Sequence, residues 1–165
     1  MGRVICLVMG YVFGLFQTGY LYGKMNHIDI RNYGSGNSGT TNALRVMGKK
    51  AGLIVFAGDF LKTVFACLAA RIIFKGSPDT DLYVLYAGLG VVLGHNFPCY
   101  LNFKGGKGIA SMAGILVSMD WRVTLVCAAL FLGACSLCRI KVFLCSSCVS
   151  RSPSPSGRRQ RHKTP

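Results

Sequence analysis

Two stretches of this chain hold residue types that could do chemistry: Gly34-Ser35-Gly36-Asn37-Ser38-Gly39-Thr40-Thr41-Asn42, and Phe103-Lys104-Gly105-Gly106-Lys107-Gly108. Each joins glycines, whose backbone can curl until several N–H groups face one anion, to polar side chains or cations. In the first, Ser35, Asn37, Thr40, Thr41 and Asn42 offer donors and acceptors suited to polyol hydroxyls. Arg45 follows within about one helical turn, and a guanidinium can bond a phosphate bidentately. In the second, Lys104 and Lys107 supply full charge, and Gly108 opens the apolar run Ile109 to Met119. That loop should therefore cap a helix N-terminus, where the dipole favours an anion. Both loops read as phosphate holders; the competing reading is tight turns whose cations simply obey membrane topology. His95 stands just before the second loop, and general base, substrate contact and structural histidine are all open for it.

The elements that must position these loops are apolar. Hydrophobic residues make up 52% of the 165 residues, and the mean hydropathy is +0.44, which indicates several membrane spans rather than a soluble core. Val4 to Gly23 runs about 20 positions without a charge, enough to cross roughly 30 Å of hydrocarbon. A cleaved signal peptide fits poorly, because no small-residue cleavage site follows and further apolar segments do. Four more spans are expected at Ala51 to Phe74, Leu82 to Leu101, Ile109 to Met119 (short, so tilted or partial) and Val123 to Cys138. Asp59 and Lys62 lie inside the second, on one helix face, and charges at that depth must pair or face a polar cavity.

Charge then orients the chain. Lys24, Arg31, Arg45, Lys49 and Lys50 crowd the first connection, Asp79 and Asp81 mark the next, and Lys104 and Lys107 follow the third span. The positive-inside rule places the N-terminus outside and both glycine-rich loops in the cytoplasm. The expected fold is an all-α polytopic transmembrane helical bundle of about five spans. The formal charge of +14 does not point to nucleic acid, since Arg139, Lys141, Arg151, Arg158, Arg159, Arg161 and Lys163 supply half of it from the C-terminal tail. Attraction to anionic lipid headgroups explains such a distribution.

Several sharper motifs fail. Gly34 to Gly39 matches G-x-G-x-x-G, but a dinucleotide site needs a buried strand before it and a βαβ unit around it. Walker A needs glycine at position 101 and a hydroxyl at 108, where this chain has Leu101 and Gly108. Cys135-x-x-Cys138 and Cys145-x-x-Cys148 are spaced too tightly for a zinc ribbon, so no metal is expected. Cys6, Cys67, Cys99 and Cys127 are expected as small apolar packers. No H-x-x-x-x-D occurs, which disfavours acyltransferases built on that pair.

Over Gly34 to Arg45, and from Gly94-His95-Asn96-Phe97-Pro98 through Phe103-Lys104-Gly105-Gly106-Lys107-Gly108-Ile109-Ala110-Ser111, the chain resembles the PlsY family of bacterial membranes, the acyl-phosphate:glycerol-3-phosphate acyltransferases. The Asp59-x-x-Lys62 pair agrees, and the resemblance covers roughly residues 4 to 138. It implies an enzyme of the bacterial inner membrane that moves a fatty acyl group from acyl-phosphate to the 1-hydroxyl of glycerol 3-phosphate, giving lysophosphatidic acid for phospholipid biosynthesis, without cofactor or metal. It implies catalytic roles for Ser35, Arg45 and Lys104. Substrate binding would fall to Gly34, Gly36, Asn37, Thr41, Asn42, His95, Gly105, Gly106, Lys107 and Gly108, with Asp59 and Lys62 in support. The implied partners are the two substrates and the bilayer, with no nucleic acid.

The family continues with two more spans and a third motif, His-x-x-Asn-Ile-x-Arg-Leu, where residues 139–165 of this chain form a basic Ser/Pro-rich tail. The sequence therefore reads as a C-terminally truncated or frameshifted member with an incomplete domain over residues 1–138, a disordered tail and little or no activity of its own. A small carrier of phosphate esters, or a remnant that binds them without turnover, are the alternatives.

Overall fold

The computed structural model describes the backbone of residues 1–149 and the side chains of residues 1–134 and 136. The described residues are helix and connecting loop, with no strand among them. Residues Met1–Val126 form one compact unit, and the described residues from Cys127 onward belong to a second. The helices are α1 (Gly2–Gly14), α2 (Thr18–Met25), α3 (Thr40–Met47), α4 (Lys49–Ile73), α5 (Thr80–Asn96), α6 (Ile109–Met119) and α7 (Trp121–Val149). Short 3-10 turns occupy Ile30–Asn32 and Cys99–Leu101.

Among the described residues, three segments are long and apolar enough to cross a membrane: Gly2–Met25, Lys49–Ile73 and Thr80–Leu101. The apolar helices Ile109–Met119 and Trp121–Ala134 are shorter. The 25 residues of α4 reach about 37 Å at the helical rise. The 11 residues of α6 reach about 16 Å, roughly half a hydrocarbon core. Past Arg139, where composition places the start of the tail, α7 runs on to Val149. Residues 150–165, and the side chains of Cys135, Cys138, Cys145 and Cys148, lie outside the described set. Cys6 and Cys67 are buried packers as expected, whereas Cys99 is exposed.

The first span differs from the expectation of one continuous helix over Val4 to Gly23. It is broken at Leu15–Gln17. The break survives because side chains from elsewhere take up the carbonyls it frees. Lys62 Nζ donates to Phe16 O at 2.6 Å and to Gly14 O at 3.4 Å. The hydroxyl of Tyr100 donates to Leu15 O at 2.8 Å. Irregular backbone at membrane depth is tolerated only where protein satisfies it in this way. The third span also ends early as a helix, at Asn96: Pro98 disfavours helical geometry at Phe97, which sits at φ −127°, ψ 60°.

The central contact is α1 against α5, running parallel, with Arg3 3.9 Å from Asp79 at the end where both helices begin and Gly14 against Val91 and Gly94 further along. Small residues four apart share a helix face and let backbones approach. A Cβ at Gly10 would strike the Ala87 carbonyl, and one at Gly94 the Tyr11 carbonyl. α4 packs against α1, α3, α5 and α6, and a buried cluster of Cys6, Cys67, Ala70, Val84 and Ala87 fills the crossing.

This crossing predicts a contrast between two alanine substitutions. Gly10→Ala should cost about 1–3 kcal/mol by forcing α1 and α5 apart. Gly133→Ala meets nothing within 4 Å and should be neutral or slightly stabilising. Thermal unfolding of both variants in one detergent measures the difference.

Candidate functional site

Both glycine-rich loops come to the same end of the bundle and enclose a cavity of about 160 Å³. Ser35, Asn37, Gly39, Thr40, Thr41, Asn42 and Arg45 line it from the first loop and α3. His95, Lys107, Gly108, Ile109, Ala110 and, from α4, Asp59 complete it.

The first loop is shaped from within by Asn42, which is 1% exposed. Its Nδ2 donates to Ile30 O and Tyr33 O at 3.0 Å and to Asn37 O at 2.9 Å, and its Oδ1 accepts from Ser35 N at 2.9 Å. Asn42 borders the cavity, but its amide is committed to the loop, so the expectation that it serves substrate becomes a scaffolding role. Asn37 accepts from Gly39 N at 2.7 Å, which turns the chain into α3. Gly34 and Gly36 sit at φ 61° and 70°; they make the turn that presents Ser35 without lining the cavity.

The second loop folds back on the end of α5. Gly105 N donates to Asn96 O at 3.1 Å and Gly106 N to His95 O at 2.9 Å. These two amides were expected to cradle a phosphate; they cap a helix instead, satisfying carbonyls that α5 would otherwise leave open. The open amides lie one step further on. Met112 N makes the bond to Gly108 O at 2.8 Å, so the amides ahead of it in the first turn of α6 have no intrahelical partner. Gly108 is left-handed at φ 72°, which turns that helix end toward the cavity. Two helix N-termini, those of α3 and α6, thus meet one anion-sized space with Arg45 and Lys107 beside it.

Lys104 is placed elsewhere. It lines a neighbouring cleft of about 350 Å³ with Arg31, Asn32, Gly36, Leu101 and Asn102. Lys107 is the lysine of the main cavity. Beside the second cleft, Arg31 grips Asp29 through Nε at 3.0 Å and Nη2 at 2.7 Å, and lies 4.9 Å over the Tyr20 ring. The guanidinium bond holds the Asp29 carboxyl below its ordinary range, and the carboxylate in turn raises Arg31.

Beneath the cavity lies the expected pair. Asp59 Oδ1 is 2.9 Å from Lys62 Nζ, with both side chains at most 5% exposed, and it accepts from Thr18 Oγ1 at 3.2 Å. His95 Nδ1 is 3.0 Å from the same ammonium. One residue that sequence reasoning missed joins the two loops: Gln17, 1% exposed. Its Nε2 donates to His95 O at 2.8 Å and Gly94 O at 3.3 Å, and its Oε1 accepts from Ser38 Oγ at 3.1 Å. A lone amide in an otherwise apolar span was the signal available for it.

The family model for glycerol-3-phosphate acyltransferases matches residues 4–150. The chain belongs to that family. A glycerol-3-phosphate acyltransferase of Lactiplantibacillus plantarum is 42% identical over 130 residues, covering 78% of this chain and 61% of that one. One from Clostridioides difficile is 42% identical over 134 residues, covering 78% and 64%. Among solved structures, PlsY (YgiH), an integral membrane glycerol 3-phosphate acyltransferase, aligns in its glycerol 3-phosphate form with a TM-score of 0.72 at 36% identity, covering 81% of this chain and 66% of that one. Its lysophosphatidic acid form aligns at 0.70 and 34%. The chain thus spans about 61–66% of the length of these relatives.

Two predictions follow from how the first loop is held. Asn42→Asp keeps the bond from Ser35 N and loses the amide's two donors, which three carbonyls share, and should cost about 1–3 kcal/mol; hydrogen exchange should rise across residues 30–42. The Asp29–Arg31 bond should add stability above the ordinary carboxylate range and lose it as pH falls through the depressed Asp29 value. Arg31→Gln should flatten that acid limb in a pH series of unfolding curves.

Proposed function

We propose that this chain carries the phosphate-handling portion of an acyltransferase that moves a fatty acyl group from acyl-phosphate to the 1-hydroxyl of glycerol 3-phosphate. The observation that carries the reading is the convergence of two helix N-termini, Arg45, Lys107 and the hydroxyls of Ser35, Thr40 and Thr41 on one small cavity. Family membership, and a relative solved in glycerol 3-phosphate and lysophosphatidic acid forms, support it.

In this reading the acyl-phosphate is already an activated mixed anhydride. The glycerol hydroxyl oxygen attacks the acyl carbonyl, the new ester bond forms, and the bond from acyl carbon to phosphate oxygen breaks. The hydroxyl proton leaves with the departing phosphate, so the protein need not form a covalent intermediate. Its task is to hold two like-charged reactants together, which is positioning and electrostatic work. Arg45, Lys107 and the open amides of α6 hold one phosphate. Lys104, in the cleft that adjoins across Ser35 and Gly36, offers charge to the second. Ser35 and Asn37 orient the hydroxyl or the carbonyl. The protein works in the bacterial inner membrane, with both loops on the cytoplasmic side and the N-terminus outside.

The test is binding first and turnover second. Glycerol 3-phosphate titrated into the lipid-reconstituted chain should bind and be displaced by inorganic phosphate. Arg45→Ala should weaken it roughly 10–100-fold, the worth of a charge-assisted bond. The same chain extended by the C-terminal segment of the Lactiplantibacillus plantarum relative should convert acyl-phosphate to lysophosphatidic acid, and Ser35→Ala should abolish this. Absence of binding would overturn the phosphate site; binding without product in the extended chain would overturn the transfer reaction.

A further inference from the structure

The contacts of His95 say more than that it borders the cavity. The imidazole is 3% exposed, and its Nδ1 faces Lys62 Nζ at 3.0 Å, while Asp59 Oδ1 is further from it at 3.6 Å. Around Nζ stand four possible acceptors: Asp59 Oδ1 at 2.9 Å, Phe16 O at 2.6 Å, Gly14 O at 3.4 Å and Nδ1 itself. An ammonium has three protons and no lone pair, so toward it Nδ1 can only accept. A neutral amine could instead accept a proton from Nδ1, but it would leave the buried Asp59 carboxylate without a compensating charge, which is strongly unfavourable. The other ring nitrogen, Nε2, lies against the bare Cα of Gly106, where an added Cβ would collide with it.

We propose that Lys62, held as an ammonium by Asp59, locks His95 in the neutral tautomer that carries its proton on Nε2, so that His95 is a hydrogen-bond donor and not a general base. Lys62 and Asp59 are then positioning residues that act through His95. The glycine at 106 leaves room for the ring edge bearing that proton. This deepens the proposed function and takes from it only the identity of the anion that Nε2–H would meet; the tautomer itself is a property of the unliganded chain.

The test reads the tautomer directly. The chain holds three histidines, His27, His95 and His162, so ¹⁵N-histidine labelling in lipid gives a spectrum that His27→Asn and His162→Asn variants assign. At neutral pH the His95 signals should show a protonated Nε2 and an unprotonated Nδ1. Asp59→Asn removes the counter-ion, favours the neutral lysine amine, and should move the proton to Nδ1; Lys62→Met should give a mixture of the two tautomers. A packing role alone predicts neither shift. An Nδ1–H tautomer or a doubly protonated ring in the unaltered chain would overturn the inference, as would an unmoved tautomer in a folded variant. The unaltered chain decides it even where both variants fail to fold. The readout needs neither substrate nor turnover, so a failed binding assay and a failed tautomer assignment are separate results.

Discussion

The structure hangs on one buried ammonium. Lys62 lies deep in α4, the longest membrane-length segment among the described residues, where an unpaired charge would cost several kcal/mol even after relaxation. What makes it tolerable is a defect elsewhere: the interruption of the first span, whose carbonyls at Gly14 and Phe16 point at Nζ while Asp59 balances its charge. The dependence runs both ways. Without Lys62 the broken segment would hold unsatisfied carbonyls at membrane depth, each worth several kcal/mol. Polar groups of this kind are stable only as a complete set.

That set also fixes the site. Gln17 lies at the break and ties Ser38 in the first loop to the last carbonyls of α5. The second loop closes on the same end of α5: Gly106 N shares the His95 carbonyl with Gln17, and Gly105 N takes that of Asn96. The two loops, about 70 residues apart in sequence, therefore share a common anchor at the end of α5. Precision at a polar site comes from such supporting bonds more than from the residues that face the ligand.

Much of this was legible in the sequence. Asp59 and Lys62, three apart in an apolar run, had to share a helix face and had to pair, and they do. Gly108 before an apolar run had to begin a helix, and it begins α6. The break at Leu15–Gln17 was not legible, because no proline or charge interrupts Val4 to Gly23 and its stabilising partners lie 46, 78 and 85 residues away. The division between Lys104 and Lys107 was hidden for a similar reason. Asn102 and Phe103 adopt left-handed geometry at φ 54° and 57°, a turn that non-glycine residues seldom make and composition does not announce. It folds the second loop back on α5, with Lys104 in the neighbouring cleft and Lys107 in the main cavity.

An acid bordering an anion cavity looks like a contradiction, and its resolution bears on the chemistry. Asp59 borders the cavity, but Lys62 cancels its charge at 2.9 Å, so the field reaching a ligand comes from Arg45, Lys107 and the two helix ends. Asp59 and His95 each present a lone pair to that neighbourhood, and Asp59 Oδ1 is engaged by Lys62 and Thr18 and His95 Nδ1 by Lys62. On the proposed function, a cavity furnished in this way would attract and orient phosphate without itself removing a proton. For acyl transfer from a mixed anhydride that is sufficient, because the departing phosphate is itself a base and leaves from the position where the hydroxyl proton is released. Under the proposed function, such a lining fits a reaction whose catalysis comes from the charge that brings two phosphates together.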